Sequence, residues 1–260
     1  MKTAGKLSLI IITKNEAKNI RNCILSVGEL ADEIIIFDSG STDGTQQICK
    51  DMGAQVFETD WPGFGQQKNR ALEKSTGNWI LSLDADEQIS QELKKEISKI
   101  ISRNDSGANS YSMPRKSSYC GQFMKHSGWW PDRVVRLFKR SSGKFSNDIV
   151  HEKFIPSEKP EKLNGAIIHT AITSIAQSIE KMNAYSTARS EKLIACGDHT
   201  SITKAVFKGF WSFFRTYIIR LGFLDGRMGF VLAVANAEGT YYRHIKTWVK
   251  QRDEHDTKKI

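Results

Sequence analysis

Over the first ninety positions the apolar residues come in short unbroken runs, each stopped by small and acidic residues. Leu7–Thr13 is a β-branched run followed by Lys14, Asn15 and Glu16, and a run of this kind predicts a strand buried on both faces. Residues 16–30 place Ile20, Ile24 and Val27 at helical spacing. A second apolar run at 33–37 stops at Asp38 and the loop Ser39, Gly40, Ser41, Thr42, Asp43, Gly44; positions 45–52 predict a helix and Gln55–Glu58 a short strand. A Gly/Pro loop at 61–65 leads to a predicted helix over 66–74 and then to the run 79–83, which ends on Asp84. Alternation of strand and helix predicts a parallel sheet with right-handed crossovers. Open sheets of this kind bind ligands beyond the carboxyl ends of their strands, which is where every one of these polar clusters falls.

The pattern changes further on. Leu93, Ile97, Ile100 and Ile101 repeat at helical spacing over 91–103, a loop follows at 106–109, and 111–155 reads as short strands and turns. A surface loop at 156–160 and a short strand at 165–169 precede helical sequence beyond Ser174, where Ile175, Ile179, Met182 and Tyr185 share a face. Over 204–220 the residues Lys204, Lys208, Ser212, Arg215, Thr216 and Arg220 recur at helical steps among many aromatic and aliphatic neighbours. A basic stripe beside a broad aromatic face suits a helix lying in a membrane interface; covering the rest of the protein or a second copy is the alternative. Spanning is not expected, because Arg215 and Arg220 interrupt the run and the stretch 228–237 reaches only about half-way across a bilayer.

Composition narrows the classes. With 260 residues and 39% apolar content the chain can bury one large α/β core. The expected division is one α/β domain over 1–200, then an amphipathic helical segment at 201–260. A formal charge of +9 favours anionic partners. Cys23, Cys49, Cys120 and Cys196 form no C-x-x-C pattern, so neither a zinc knuckle nor a disulfide framework is expected and a reducing compartment is. The apolar run near the N-terminus, about seven residues long, is short for a signal peptide, and the expected location is cytoplasmic. Internal repeats and low-complexity tracts are absent.

The sharpest candidate chemistry is Asp84, Ala85, Asp86, Glu87. Carboxylates two apart on an extended segment project to one side and can share a divalent cation; Mg²⁺ or Mn²⁺ is what a diphosphate leaving group requires. An acidic turn after a strand is the plainer reading of the same residues. Thr13, Asn15 and Glu16 follow the first strand and Asp38 ends the second, where a carboxylate can accept from a uracil imide or a ribose hydroxyl. Asp43 is expected to form a turn or helix cap. Lys68 and Arg70 are placed to reach a diphosphate, and Arg136, alternating with apolar neighbours, either an anionic ligand or a structural ion pair. Trp129 and Trp130, as neighbours on a strand, are expected to face opposite ways, so at most one of them is expected to stack on a sugar.

The series I-I-T-K-N-E, F-D-S-G-S-T-D-G-T, G-x-x-K-N-R-A-L and L-D-A-D-E, in that order over residues 6–90, resembles the nucleotide-binding half of family 2 glycosyltransferases. The resemblance implies a GT-A fold: α/β, Rossmann-like, with a mostly parallel central sheet and flanking helices, here extended by a C-terminal helical membrane-proximal segment. It also implies that 1–200 is the catalytic domain, with a nucleotide-binding half at 1–90 and an acceptor half at 91–200. It implies that Glu16 and Asp38 hold base and ribose, that Asp84 sits beside ribose and metal, that Asp86 is the principal metal ligand, and that His169 closes the metal site. It also implies inversion at the sugar, which needs a base for the acceptor hydroxyl. The Glu-Asp pair of many members is missing. Val-His-Glu stands instead, as in a subgroup resembling the bacterial lipopolysaccharide inner-core β-1,4-glucosyltransferases, which the stretch 221–230 also resembles. Glu152 is the expected base, with His151 and Asp148 as rivals and a structural pairing with Lys or Arg as the alternative.

The function expected is therefore a metal-dependent transfer of a hexose, glucose from UDP-glucose, onto a lipid-linked saccharide such as the lipopolysaccharide inner core, by an enzyme peripheral on the inner face of the cytoplasmic membrane. One alternative is a polyprenyl-phosphate or other cell-envelope acceptor, needing no base where phosphate attacks. Another is a non-catalytic nucleotide- or nucleic-acid-binding protein, which lacks an aromatic/basic nucleic-acid motif, so no nucleic-acid partner is expected. Oligomeric state is left open.

Overall fold

The computed structural model of the chain describes residues 5–102, 107–146 and 152–257. Its chain packs as two compact units, one made of residues 1–115 and 132–169, the other of 116–131 and 170–260.

The first unit begins with the expected alternation: β1 (Leu7–Thr13), α1 (Ile20–Val27), β2 (Glu33–Asp38), α2 (Thr45–Asp51), β3 (Gln55–Glu58), α3 (Phe64–Lys74) and β4 (Trp79–Asp84). Strands β3, β2, β1 and β4 lie side by side and parallel. Every residue of β1 is buried, because helices cover both faces of the sheet. Leu7, Leu9 and Ile11 join one apolar cluster, with Ile20, Cys23, Ile24 and Val27 of α1, while Ile10 and Ile12 join another, with Ala71 and Leu72 of α3. Register aligns the strand ends, Thr13 opposite Asp38 and Ile12 opposite Asp84.

Helix α1 starts at Ile20, later than the predicted position 16. The N–H groups of Asn15, Glu16 and Ala17 are taken by Ser41, Thr45 and Asp43 of the neighbouring loop, so the chain crosses the strand ends before it turns into the helix.

Beyond β4 come β5 (Glu87–Ile89), α4 (Gln91–Ser102), β6 (Ser110–Tyr119), β7 (Gln122–Phe123), β8 (Asp132–Lys139), β9 (Gly143–Phe145), β10 (Phe154–Pro156), β11 (Glu161–Lys162) and β12 (Ile167–Ile172). The α4 positions Leu93, Ile97 and Ile101 are buried at helical spacing. From β4 onward the main pairings turn antiparallel, β4 with β8, β8 with β6, and β5 with β12. Two of these strands, β6 and β8, are longer than the short pieces expected over 111–155.

In the second unit α5 (Ile175–Ala195) and α6 (Ile202–Phe214) both pack on α7 (Gly226–Thr257). A π-helical turn at Arg215–Ile219 and a 3-10 turn at Gly222–Asp225 join α6 to α7. The predicted helix at 204–220 is thus a helix and a separate wider turn. Trp129 and Trp130 lie in the turn before β8, not on a strand, so strand alternation does not decide which way they face; Trp129 meets Tyr119 edge-on at 5.8 Å. Among the described residues no helix is long and apolar enough to cross a membrane.

Candidate active site

Two loops meet at the ends of β1 and β2. Asp38 is fully buried and accepts from the Thr13 hydroxyl at 2.7 Å, the Gly40 and Ser41 amides at 3.1 and 2.8 Å, the Ser41 hydroxyl, and Gln46 Nε2 at 2.7 Å. Burial alone would raise its carboxyl, but these donors, led by Ser41, outweigh burial and hold it below the ordinary range. A carboxylate has about four lone-pair sites, so Asp38 spends its capacity on shaping the loop. Asn15 adopts the left-handed region at φ 57°, which an Asn side chain tolerates; its Oδ1 accepts Thr42 N at 2.8 Å. The Glu16 carboxylate accepts from Asn19 Nδ2 at 2.8 Å. Asp43 accepts from the Ala17 and Thr45 amides at 3.0 and 3.1 Å, forming the turn into α2.

At the end of β4 the arrangement is ionic. Lys68, on α3, is 1% exposed. Its Nζ lies 2.7 Å from Asp84 Oδ1 and 2.6 Å from Glu152 Oε1. Glu152 is brought there by the β9–β10 hairpin, which Asn69 of α3 clamps through both the N–H and C=O of Phe145, at 2.9 and 3.0 Å. Arg136, buried on β8, donates from Nη2 to Asp84 Oδ2 and to Glu87 Oε1, the latter at 2.8 Å. Burial pushes the Asp84 carboxyl up, but Arg136 and Lys68 outweigh it and hold it far below the usual range. Burial works against the Arg136 charge in turn, and Asp84 and Glu87 hold its pKa above the ordinary value. Arg136 Nε is buried with no hydrogen-bond partner among the described residues.

Asp86 points elsewhere in the turn. Its Oδ2 lies 3.4 Å from His169 Nε2 on β12, and both side chains keep some exposure, 21% and 16%. Neighbouring ligands of an octahedral ion with bonds of about 2.1 Å stand about 3 Å apart, so an oxygen and an imidazole at this spacing suit one divalent ion. Among the described residues, however, no group of three or more His, Cys, Asp or Glu is set as a metal site; both Asp84 oxygens are engaged by cations.

Lys68, Asp84, Arg136 and Glu152 therefore form one ion-paired cluster, with Asp86 and His169 as a separate pair beside it, and Thr13, Asn15, Glu16 and Asp38 as a hydrogen-bonded rim one strand away. Arg70 goes to Asp60 at 2.6 Å and not into the cluster. Asp148 and His151 lie outside the described residues. Sequence reasoning placed Glu87 in the acidic turn but gave it no role of its own, and it missed Arg115, which joins Glu87 at 3.1 Å. Arg115 carried no signal in the sequence.

Comparison with known proteins gives the following. The family model described as Glycosyl transferase family 2 matches residues 8–160. An uncharacterized glycosyltransferase of Rickettsia prowazekii is 33% identical over 251 residues, covering 93% of this chain and 86% of its own. The lipopolysaccharide core biosynthesis glycosyltransferase LpsC of Rhizobium meliloti is 28% identical over 257 residues, 92% and 93% of the two chains. Among solved structures, S. aureus TarS 1-349 in complex with UDP-GlcNAc aligns at a TM-score of 0.44 and 16% identity, over 97% of this chain and 92% of that one.

Proposed function

Because the chain belongs to glycosyl transferase family 2 and is a glycosyltransferase of the GT-A α/β type, we propose that it moves a hexose, glucose from UDP-glucose, with inversion onto a hydroxyl of a lipid-linked saccharide. The observation that carries this reading is the placement of a buried lysine and a buried arginine on the two oxygens of Asp84, at the carboxyl edge of the parallel strands. Two cations that close to an ordered strand end are suited to a diphosphate. When the donor arrives, Lys68 and Arg136 turn part of their bonding to its phosphates, which frees Asp84 toward the ribose and loosens Glu152 from Lys68. Glu152 then takes the acceptor proton. Asp38 holds the rim by keeping its loop folded, and Thr13, Asn15 and Glu16 present that rim to the base and ribose.

Asp86 and His169, with Asp84 once released, are the residues that would hold Mg²⁺ or Mn²⁺. Such an ion, when bound, supplies charge neutralisation at the departing diphosphate.

The likeness to LpsC supports an acceptor of the lipopolysaccharide-core kind, and the second unit supports a membrane-bound one. On α6 the buried stripe is Ala205, Gly209 and Ser212, while Phe207 and Phe210 are each 69% exposed. Small residues inside and aromatics outside reverse the order of a helix made for water. With Lys204, Lys208, Arg215 and Arg220 around them, these aromatics fit an anionic bilayer surface at the cytoplasmic face.

The deciding experiment incubates the pure protein with a panel of nucleotide sugars and Mn²⁺ or Mg²⁺, with and without lipid-linked acceptors. Metal-dependent consumption of UDP-glucose is expected; turnover of no nucleotide sugar with any acceptor would remove this reading. Full transfer by Glu152→Gln would favour a phosphate acceptor, which needs no base.

A further inference from the structure

Glu87 is fully buried and is joined to each part of the acidic turn. Its Oε2 accepts the Asp84 backbone N–H at 3.0 Å. Oε1 accepts from Arg136 at 2.8 Å and from Arg115 Nη1 at 3.1 Å. Its own backbone lies opposite His169 in the β5–β12 ladder, and it follows Asp86 directly. One residue is thus bound to Asp84 by a hydrogen bond, to Asp86 by a peptide bond and to His169 by strand register. Arg115 is braced from its other side by Asp132, whose Oδ2 accepts Nε at 2.9 Å and Nη2 at 2.6 Å.

We propose that Glu87 is a positioning residue for the Asp86–His169 pair, an inference that rests on the reading of that pair as the holder of a divalent cation. A buried carboxyl beside the partly exposed Asp84 and Asp86 adds like-charge repulsion, so it persists only because two guanidinium groups neutralise it. In exchange it fixes the turn on three sides. An amide at this position cannot do the same. One end of Gln is a donor, and it would face either the Asp84 N–H or a guanidinium, so at least one of the three bonds is lost. The turn then relaxes and the separation of Asp86 from His169 is no longer held. Outer partners of this kind change metal affinity by about 10–100-fold.

The test compares the parent protein with Glu87→Gln, Glu87→Asp and Asp132→Asn. Mn²⁺ affinity in the presence of UDP is read from the free-ion electron paramagnetic resonance signal, with melting temperature and the kcat and KM of donor consumption alongside. Glu87→Gln is expected to weaken Mn²⁺ binding about 10–100-fold and lower kcat while leaving the acceptor KM unchanged. Glu87→Asp, too short to span the same three partners, is not expected to restore affinity. Asp132→Asn, at a partly exposed position, is expected to shift Mn²⁺ affinity less and in the same direction, and decides the matter if Glu87→Gln does not fold. Unchanged Mn²⁺ affinity in the folded variants, even with a lowered melting temperature, would overturn the proposal and leave the glycosyl-transfer reading standing. A parent protein that binds no Mn²⁺ with UDP would overturn both.

Discussion

In the first unit a continuous series of charged side chains runs through the site: Glu152 with Lys68, Lys68 with Asp84, Asp84 with Arg136, Arg136 with Glu87, Glu87 with Arg115, and Arg115 with Asp132. In the second unit the helices meet through hydroxyls and glycines. Ser212 donates to Asn236 O at 3.1 Å, Thr240 to Ser212 at 3.2 Å, and Thr247 to Ser190 at 3.0 Å. Hydrocarbon that would form an ordinary core is turned outward, on Val206, Phe207, Phe210 and Trp211. Burying ions costs several kcal/mol each unless they are paired, and exposing aromatic rings to water forgoes about 2 kcal/mol per ring. Neither arrangement is what stability alone would select. The first suits a unit that must neutralise an anionic ligand, and the second a unit whose outer face meets something other than water.

The comparison breaks most visibly at the acidic turn. Asp86→Asn is expected to lower donor consumption by about 10²–10³-fold with little change in melting temperature, since among the described residues no buried lysine or arginine pairs with that carboxylate. Asp84→Ala is expected to lose a similar activity and also about 3 kcal/mol of stability, because Lys68 and Arg136 keep their burial and lose a shared counter-ion. Activity assays paired with thermal melts separate the two; equal melting temperatures would mean that the ion pairs at Asp84 contribute nothing to the fold.

The outward aromatics give the next effect. The double substitution Phe207→Glu with Phe210→Glu is expected to weaken binding to vesicles containing anionic lipid by about 10–100-fold, the interface insertion lost from two rings, and to leave hydrolysis of soluble donor unchanged. Flotation of vesicles checks the first and a coupled UDP assay the second. Undiminished flotation would point to a second copy or another protein surface as the partner of this face.

The first four strands, the helices between them and the acidic turn were legible because a run such as Leu7–Thr13, buried on both faces, leaves an unbroken apolar signature. The C-terminal bundle was only half legible. Helix α7 serves two neighbours, α5 and α6, so its small and hydroxyl-bearing positions go around the helix and give no single stripe. Glu87 was seen as part of the acidic turn, but its role was not legible, for another reason: a buried carboxylate looks like a surface one until its guanidinium partners are brought to it from β6 and β8, and sequence spacing says nothing about such long-range pairing. Lys68 was legible as a diphosphate candidate, but its contact with Glu152 depends on the β9–β10 hairpin being clamped by Asn69.

Close approach in the second unit supplies a smaller test. Gly229 lies so near Gly222 that a Cβ there would stand 1.9 Å from its carbonyl oxygen. Gly229→Ala is expected to shift backbone at the start of α7 and cost about 1–3 kcal/mol, read as a lower midpoint in urea. Asp225, whose carboxylate accepts the Lys125 and His126 amides at 2.9 and 3.0 Å, anchors the same corner, so the 125–127 segment should lose amide protection together with α7.

The least effect, and the one that separates the units without any substitution in the site, is in pH. In the second unit His244 is buried beside Arg243, with Lys204 and Lys208 near. Burial and those cations lower its pKa from the ordinary 6.5 to about 4. Unfolded chains therefore bind the proton more readily than folded ones between those values, and the stability His244 confers is complete above about pH 6.5 and is lost as pH falls toward 4. Lys204 and Lys208 are exposed and screened by salt, so the loss should be about 1 kcal/mol, a few degrees in melting temperature. In the first unit Asp38 and Glu33 are lowered, their hydrogen bonds outweighing burial. Their contribution is present above the unfolded carboxylate range near pH 4 and disappears as pH falls below it. Melting followed at pH 7, 5 and 3 should thus weaken the second unit first, and His244→Gln should remove the change between pH 7 and 5 while leaving the one below pH 4. An unaltered slope between pH 7 and 5 in that variant would assign it to some other group.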